Sequence, residues 1–217
     1  RERLDMLYLQ KGNFQKLSRW IAGKWISANQ ATLFGCIFIV LVSLSFYVGL
    51  TSDKLRWFLL LVPLFLIMRM MMNALDGMLA REYGTGSVAG EIWNEGLDII
   101  GDNICYGILL FVPAFPEAPL VFFMLLSWAA EFFGVLGKSM PHGVRRHETF
   151  LGGKPDRAVW MGLMAIVLFF RPGFIEFMGY YLFGVSFFVL MTIVIRIRKI
   201  VSESEGQNYE SYTWIGR

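Results

Sequence analysis

Seven ionisable side chains lie between positions 73 and 102, in a stretch that joins two long apolar runs. They are Asp76, Arg81, Glu82, Glu91, Glu95, Asp98 and Asp102. Each acid placed at membrane depth costs about 2.5–3.5 kcal/mol on insertion scales. One or two acids are usually polar groups at a helix end that meets water. That explanation does not account for this many, so the stretch indicates a functional site.

Helical geometry places most of these acids on one face. If residues 86–114 form a helix of about 100° per residue, five oxygen-bearing side chains fall within an arc of about 100°. They are Glu91, Asn94, Glu95, Asp98 and Asp102, and Ser87 lies in the same arc. The preceding helix carries Asn73 and Asp76 beside the small residue Gly77, which permits close helix packing in a membrane. The acidic stripe is therefore expected to face the Asn/Asp pair across a narrow gap.

Carboxylates held close together across such a gap would repel one another and take up protons. A hard divalent cation with oxygen ligands removes that conflict. The pattern therefore predicts a site for Mg²⁺ or Mn²⁺ between the two helices.

The same residues resemble the signature of the CDP-alcohol phosphatidyltransferase family, D-x2-D-G-x2-A-R-x8-G-x3-D-x3-D. The chain reads Asn73-x2-Asp76-Gly77-x2-Ala80-Arg81-x8-Gly90-x3-Asn94-x3-Asp98, and every spacing fits. Asparagine replaces aspartate at the first and third acidic positions, a variant that is similar to a bacterial branch of the family.

The resemblance implies a reaction and a set of site residues. The family transfers a phosphatidyl (substituted phosphate) group from a CDP-alcohol, such as CDP-diacylglycerol, to an acceptor hydroxyl and releases CMP, a reaction of phospholipid biosynthesis. Its metal positions fall on Asn73, Asp76, Asn94 and Asp98, with Asp98 as the catalytic base. Each asparagine removes one negative charge, and we hypothesise that Glu95 and Asp102 restore it as further ligands. The family usually forms homodimers.

Nucleotide contacts follow from the same resemblance. The family's cytidine-diphosphate contacts fall on Gly77, Arg81 and Ser87. Its Asn-x-x-Thr at the start of the first span falls on Asn29 and Thr32, although helix capping explains these two nearly as well.

A basic loop follows the fourth apolar run. Its cationic side chains suit an acceptor or a phosphate group, because guanidinium and ammonium groups bind phosphate oxygens. The candidates are Arg145, Arg146, Lys154 and Arg157. The excess of positive charge found in cytoplasmic loops accounts for some of them equally well.

Composition predicts an all-α membrane protein. The chain is 56% hydrophobic and 17% charged, whereas soluble domains are about 45–50% apolar and about 25% charged. We expect six transmembrane helices, preceded by a basic amphipathic helix that lies on the membrane surface. Their approximate ranges are 29–50, 57–81, 87–112, 120–136, 158–170 and 174–195. Residues 1–200 are expected to form one membrane domain, and residues 201–217 a polar tail.

Two ionisable residues interrupt the apolar runs themselves. Arg69 is expected either to pair with a carboxylate of the third helix or to extend its head towards the membrane surface. Glu131 is expected either to face the site or to accept a hydrogen bond from another helix.

The placement of basic residues predicts orientation. Most of the 20 lysines and arginines lie in the N-terminal segment, the turn at 81–86, the loop at 137–157 and the tail. The positive-inside rule then puts both termini and the motif on the cytoplasmic side of the inner membrane. The expected partners are the CDP-alcohol, an acceptor alcohol and membrane lipids, with no nucleic acid.

Two alternatives belong to other functional classes. The asparagine substitutions are compatible with a non-catalytic paralogue that binds a CDP-lipid or a metal. An acidic stripe also suits an ion transporter, although the acids cluster near one side and Arg81 lies beside them.

Overall fold

A computed structural model describes residues 27–82, 87–139 and 151–204. Within these ranges the chain forms six α-helices and no strand, which confirms the predicted all-α class. The helices are α1 (Ala28–Thr51), α2 (Leu61–Glu82), α3 (Val88–Gly107), α4 (Glu117–Ser139), α5 (Lys154–Phe170) and α6 (Met178–Ser204). Short 3₁₀ segments precede α2 and α6 and follow α3. The predicted N-terminal surface helix lies outside the described residues.

Length and composition fit a membrane bundle. In the described part of the chain, four segments are long and apolar enough to cross a membrane: α1, α4, and α2 and α6 each with its preceding 3₁₀ segment. Helix α3 carries the acids of the motif, and α5 has only 17 residues. Large apolar side chains are exposed all around the bundle, among them Phe111, Phe170 and Tyr180. Such a surface suits lipid, and the chain is a multi-pass membrane protein.

Local sequence explains where several helices begin. Ser27 caps α1 in a capping box with Gln30, and Ser87 caps α3 by accepting a hydrogen bond from the Gly90 N–H at 3.0 Å. Helix α4 begins three residues before the predicted Leu120, since Pro119 is tolerated in a first helical turn. At the other end of the chain, α6 continues to Ser204, into the segment predicted as tail.

Two helix pairs form the main contacts of the bundle. Helix α1 packs along α2, and α4 packs along α6, while α5 contacts α2. Helix α3 lies against both α1 and α4. The main apolar core includes Phe46, Tyr106 and Phe123. This arrangement brings residues of α1, α2 and α5 together beside the middle of α3.

A tight contact at Gly152 fixes the start of α5 against α6. A Cβ atom there would clash with the carbonyl oxygen of Phe188 and with Oγ1 of Thr192. We expect Gly152→Ala to lower the free energy of unfolding by about 1–3 kcal/mol or more, because backbone atoms of a packed helix cannot move aside cheaply. Thermal unfolding of the detergent-purified protein measures this.

Gly184→Ala is the matched control, since a Cβ there meets nothing within 4 Å. It should be neutral or stabilising, because alanine favours helix over glycine by about 0.5–1 kcal/mol. Equal melting temperatures for the two variants would contradict the packing argument.

Candidate active site

Four polar residues of the motif meet in one cleft between α2 and α3. Asn73 and Asp76 lie on α2, and Asn94 and Asp98 on α3; Thr32 of α1 closes the side. The cleft has about 230 Å³ of empty volume, part of it open to solvent. Of the α3 stripe, Asn94 and Asp98 thus face the Asn/Asp pair of α2 across the cleft.

Asp98 is held by two neighbouring side chains. The amide nitrogen of Asn73 donates a hydrogen bond to its Oδ1. The ammonium of Lys154, the first residue of α5, forms an ion pair with its Oδ2. The carboxylate is 13% exposed and Lys154 is 18% exposed, so neither group is fully closed off from solvent.

Asp76 has a different environment. Its Oδ2 accepts a hydrogen bond from Thr32 Oγ1 at 3.1 Å. Its Oδ1 is buried and has no hydrogen-bond partner, and the residue is 6% exposed. A buried carboxylate oxygen without a partner is costly, and a cation in the cleft would satisfy it. The cleft therefore fits a hard divalent cation, since its carboxylates and asparagine amides carry the oxygen atoms that such a cation binds.

The described residues contain no group of three or more histidine, cysteine, aspartate or glutamate side chains placed to hold a metal ion. The two asparagines account for this, because they leave two carboxylates in the cleft. A cation here would complete its coordination with amide oxygens, water and substrate phosphates, as Mg²⁺ commonly does.

Asp102 lies one turn deeper and does not line this cleft. Its Oδ1 accepts a hydrogen bond from Arg69 Nη1, and its Oδ2 lies 3.2 Å from Arg157 Nη2. All three side chains are buried. Two guanidinium groups thus occupy the carboxylate of Asp102, and its role as a compensating metal ligand stays a prediction.

Arg69 was expected either to pair with a carboxylate of the third helix or to extend towards the membrane surface, and the structure shows the pairing. It binds Asp102, and its Nη2 also donates to the backbone carbonyl of Asp98 at 3.2 Å. Asn73, one turn further along α2, holds the side chain of the same Asp98. Helix α2 thus fixes both the backbone and the carboxylate of Asp98.

Glu131 belongs to the same buried network. Its Oε1 lies 2.8 Å from Arg157 Nη2 and 3.8 Å from Arg196 Nη1. Of the two expectations for Glu131, the structure shows contacts with other helices and not a position in the cleft. Five side chains from five helices are linked in this way: Arg69, Asp102, Arg157, Glu131 and Arg196.

Sequence reasoning missed Arg196 and the inward role of Arg157. Both lie near clusters of basic residues that were attributed to cytoplasmic charge or to phosphate binding. Arg157 is fully buried and its Nη atoms contact Asp102, Glu131 and the Gly152 carbonyl. The available signal was Glu131, since an acid inside an apolar helix requires a partner.

The other predicted residues lie around or outside this cleft. Glu95 is not among the residues that line the cleft, and its Oε1 lies 3.4 Å from Lys138 Nζ. Gly77 lies on α2 next to Asp76, and Ser87 serves as the N-cap of α3. Arg145 and Arg146 lie outside the described residues. Asn29, Arg81 and Glu91 lie on described helices, but their side chains are not described.

Comparison with known proteins agrees with this geometry. Residues 25–197 match the CDP-alcohol phosphatidyltransferase family model, which covers all six helices except the end of α6. The inner membrane protein YnbA of Escherichia coli (strain K12) is 31% identical over 199 residues, which cover 90% of this chain and 96% of that protein. The family signature, its placement in a single cleft and these two matches agree, and the chain belongs to the CDP-alcohol phosphatidyltransferase family.

Proposed function

We propose that the protein transfers a phosphatidyl or related substituted phosphate group from a CDP-alcohol to an acceptor hydroxyl and releases CMP. CDP-diacylglycerol is the donor that we favour, in phospholipid biosynthesis. The observation that carries the proposal is the meeting of Asn73, Asp76, Asn94 and Asp98 in one cleft, at the spacing of the family signature. Family membership supports a transferase in general, and the donor and acceptor are the proposed part.

The proposed chemistry assigns a base and a charge-neutralising group. As the acceptor oxygen bonds to phosphorus and the bond to CMP breaks, Asp98 takes the hydroxyl proton. Asn73 and Lys154 hold the carboxylate in place for that step. A divalent cation bound at Asp76 and the neighbouring amides would neutralise the diphosphate of the donor.

Nucleotide recognition is proposed for the start of α3 and the end of α2. Gly77 permits close approach of a ligand to the backbone. Arg81 suits a phosphate through its planar guanidinium, and the further proposed contacts are Ser87 at the start of α3 and Asn29 and Thr32 in the first turns of α1. The basic residues Arg145, Arg146 and Lys154 are proposed to attract the acceptor.

Location and assembly complete the proposal. We place the protein in the inner membrane, where its relative YnbA is found by name, with both termini and the cleft towards the cytoplasm. The cytoplasmic side is where a CDP-activated donor with a soluble nucleotide head would be used. Residues 1–200 are proposed as one catalytic membrane domain. A homodimer is proposed from family resemblance alone.

The experiment is a CMP-release assay. Purified protein is incubated with CDP-diacylglycerol, Mg²⁺ or Mn²⁺ and a pool of candidate alcohols. Metal-dependent CMP release is expected, and the lipid product identifies the acceptor. Binding of the CDP-lipid without CMP release under any metal or acceptor would favour the non-catalytic paralogue. Metal-gated conductance without CMP release would favour an ion transporter.

Glu95 provides a test of the predicted compensation for the lost aspartates. We expect Glu95→Gln to keep CMP release within about fivefold of wild type, because a partly exposed ion pair such as Glu95–Lys138 is worth about 0.2–1 kcal/mol. The metal dependence of CMP release is measured alongside. A large loss of activity that excess Mn²⁺ restores would show that Glu95 is a metal ligand.

A further inference from the structure

The two carboxylates in the cleft are not equivalent. Asp98 already has a cation beside it, since Lys154 forms an ion pair with its Oδ2. Its other oxygen accepts a hydrogen bond from Asn73. Neither oxygen of Asp98 is therefore without a partner, and its charge is matched by that of Lys154.

Asp76 has the opposite arrangement. One oxygen accepts the Thr32 hydroxyl, and the other is buried in the cleft wall without any hydrogen-bond partner. No lysine or arginine of the described chain forms an ion pair with Asp76. Asp76 is only 6% exposed, so bulk water does not solvate its charge. The unsatisfied need for a cation in this cleft is located at Asp76 Oδ1.

The orientation of Asn73 separates the two carboxylates further. Its amide nitrogen points to Asp98, whereas its Oδ1 points towards α1 and lies 3.2 Å from where a Cβ of Gly35 would be. An amide N–H cannot coordinate a cation. The Asn73–Asp98 contact therefore leaves the amide oxygen as the only atom of Asn73 that can act as a ligand, on the side of the cleft that Gly35 and Thr32 line.

We propose that this site takes a single divalent cation, on Asp76, and that the ammonium of Lys154 occupies the place at Asp98 where a second cation would be held. Compared with a signature of four aspartates, each asparagine leaves the site with one carboxylate fewer. Lys154, at the start of α5, adds one positive charge. If the cleft held two divalent cations, its two carboxylates would face them with half the negative charge of a four-aspartate site. The catalytic role of this cation rests on the proposed function, whereas the number of cations bound does not.

The test is to count bound Mn²⁺ on the purified full-length chain in detergent, without any CDP-alcohol. Free Mn²⁺ is followed by its electron paramagnetic resonance signal during a titration. We expect one Mn²⁺ per wild-type chain. Loss of a residue that supports a metal ligand costs about 10–100-fold in metal affinity. Because Asp76→Asn removes the ligand itself, the Mn²⁺ affinity should fall about tenfold or more.

Lys154→Met should bind a second Mn²⁺, since it frees Asp98 from its ion pair, whereas Lys154→Arg should still bind one. Lys138→Met is the matched control, because Lys138 pairs with Glu95, which does not line the cleft. Two Mn²⁺ on the wild-type chain, none at all, or one on both Lys154→Met and the control would overturn the proposal. Should Lys154→Met fail to fold, the wild-type count and the Asp76→Asn affinity still decide it.

The two proposals fail in different ways. One Mn²⁺ bound at Asp76 without CMP release would overturn the transferase and leave the single-cation site standing. CMP release with two Mn²⁺ per chain would overturn the single-cation site and leave the transferase standing.

Discussion

Replacing Asp98 with asparagine is expected to lower CMP release by about 10²–10⁴-fold, the range that a positioned general base contributes. Asparagine keeps the size of the side chain, and its carbonyl oxygen can still accept the hydrogen bond from Asn73. It cannot take a proton from the acceptor hydroxyl. The protein should therefore fold and bind the CDP-lipid while the transfer step fails. CMP release and CDP-lipid binding are measured on the same preparation.

Asp53→Asn is the control for this variant. Asp53 is a 90% exposed aspartate that pairs with Arg56 in the segment before α2, away from the cleft. It undergoes the same chemical change and should keep wild-type CMP release. Wild-type activity in Asp98→Asn would mean that another group accepts the proton, and the assignment of the base would be wrong.

Replacing Asp102 with asparagine is expected to have the second large effect, on stability. The buried network holds three arginines and two acids. Without the Asp102 carboxylate, Arg69 loses its counter-ion, and Glu131 is the carboxylate that Arg157 still contacts. Breaking a buried ion pair from one side costs about 3–5 kcal/mol, because an uncompensated charge stays buried. Thermal unfolding in detergent should show a large fall in melting temperature.

A double variant separates charge balance from simple loss of a contact. Adding Arg69→Met to Asp102→Asn returns the network to the net charge of the wild type, so part of the lost stability should be recovered. Asp53→Asn, in an exposed pair, should cost at most about 1 kcal/mol. If Asp102→Asn instead unfolded at the wild-type temperature and lost Mn²⁺ binding, Asp102 would be a metal ligand, as the sequence-based hypothesis held.

The buried network also explains why the cleft keeps its shape. Asp98 and Asp102 are one helical turn apart on α3, and Lys154 and Arg157 are one turn apart on α5. Asn73 and Arg69 repeat the same spacing on α2. The cleft contacts of Asp98 are therefore in register with the buried contacts of Asp102, and α2, α3 and α5 cannot slide past one another without breaking both sets.

The sequence alone was sufficient for the fold class and for the two helix faces that form the cleft. Apolar runs of membrane-spanning length predict helices, because backbone polar groups in lipid must bond within their own segment. Helical periodicity then puts Asn94 and Asp98 on one face of α3, and the spacing of Asn73 and Asp76 puts them on one face of α2. These relations are local, so they can be read without knowing how the helices pack.

The tertiary structure decided which acid of the stripe serves which purpose. Asp98 and Asp102 lie in the same arc, and nothing in their spacing tells the residue that faces the cleft from the one that faces arginines. The difference arises from partners on other helices, namely Lys154 beside Asp98, and Arg69 and Arg157 beside Asp102. Charges far apart in sequence meet only through packing, and in a low-dielectric bundle the partner that packing supplies determines what each carboxylate can do.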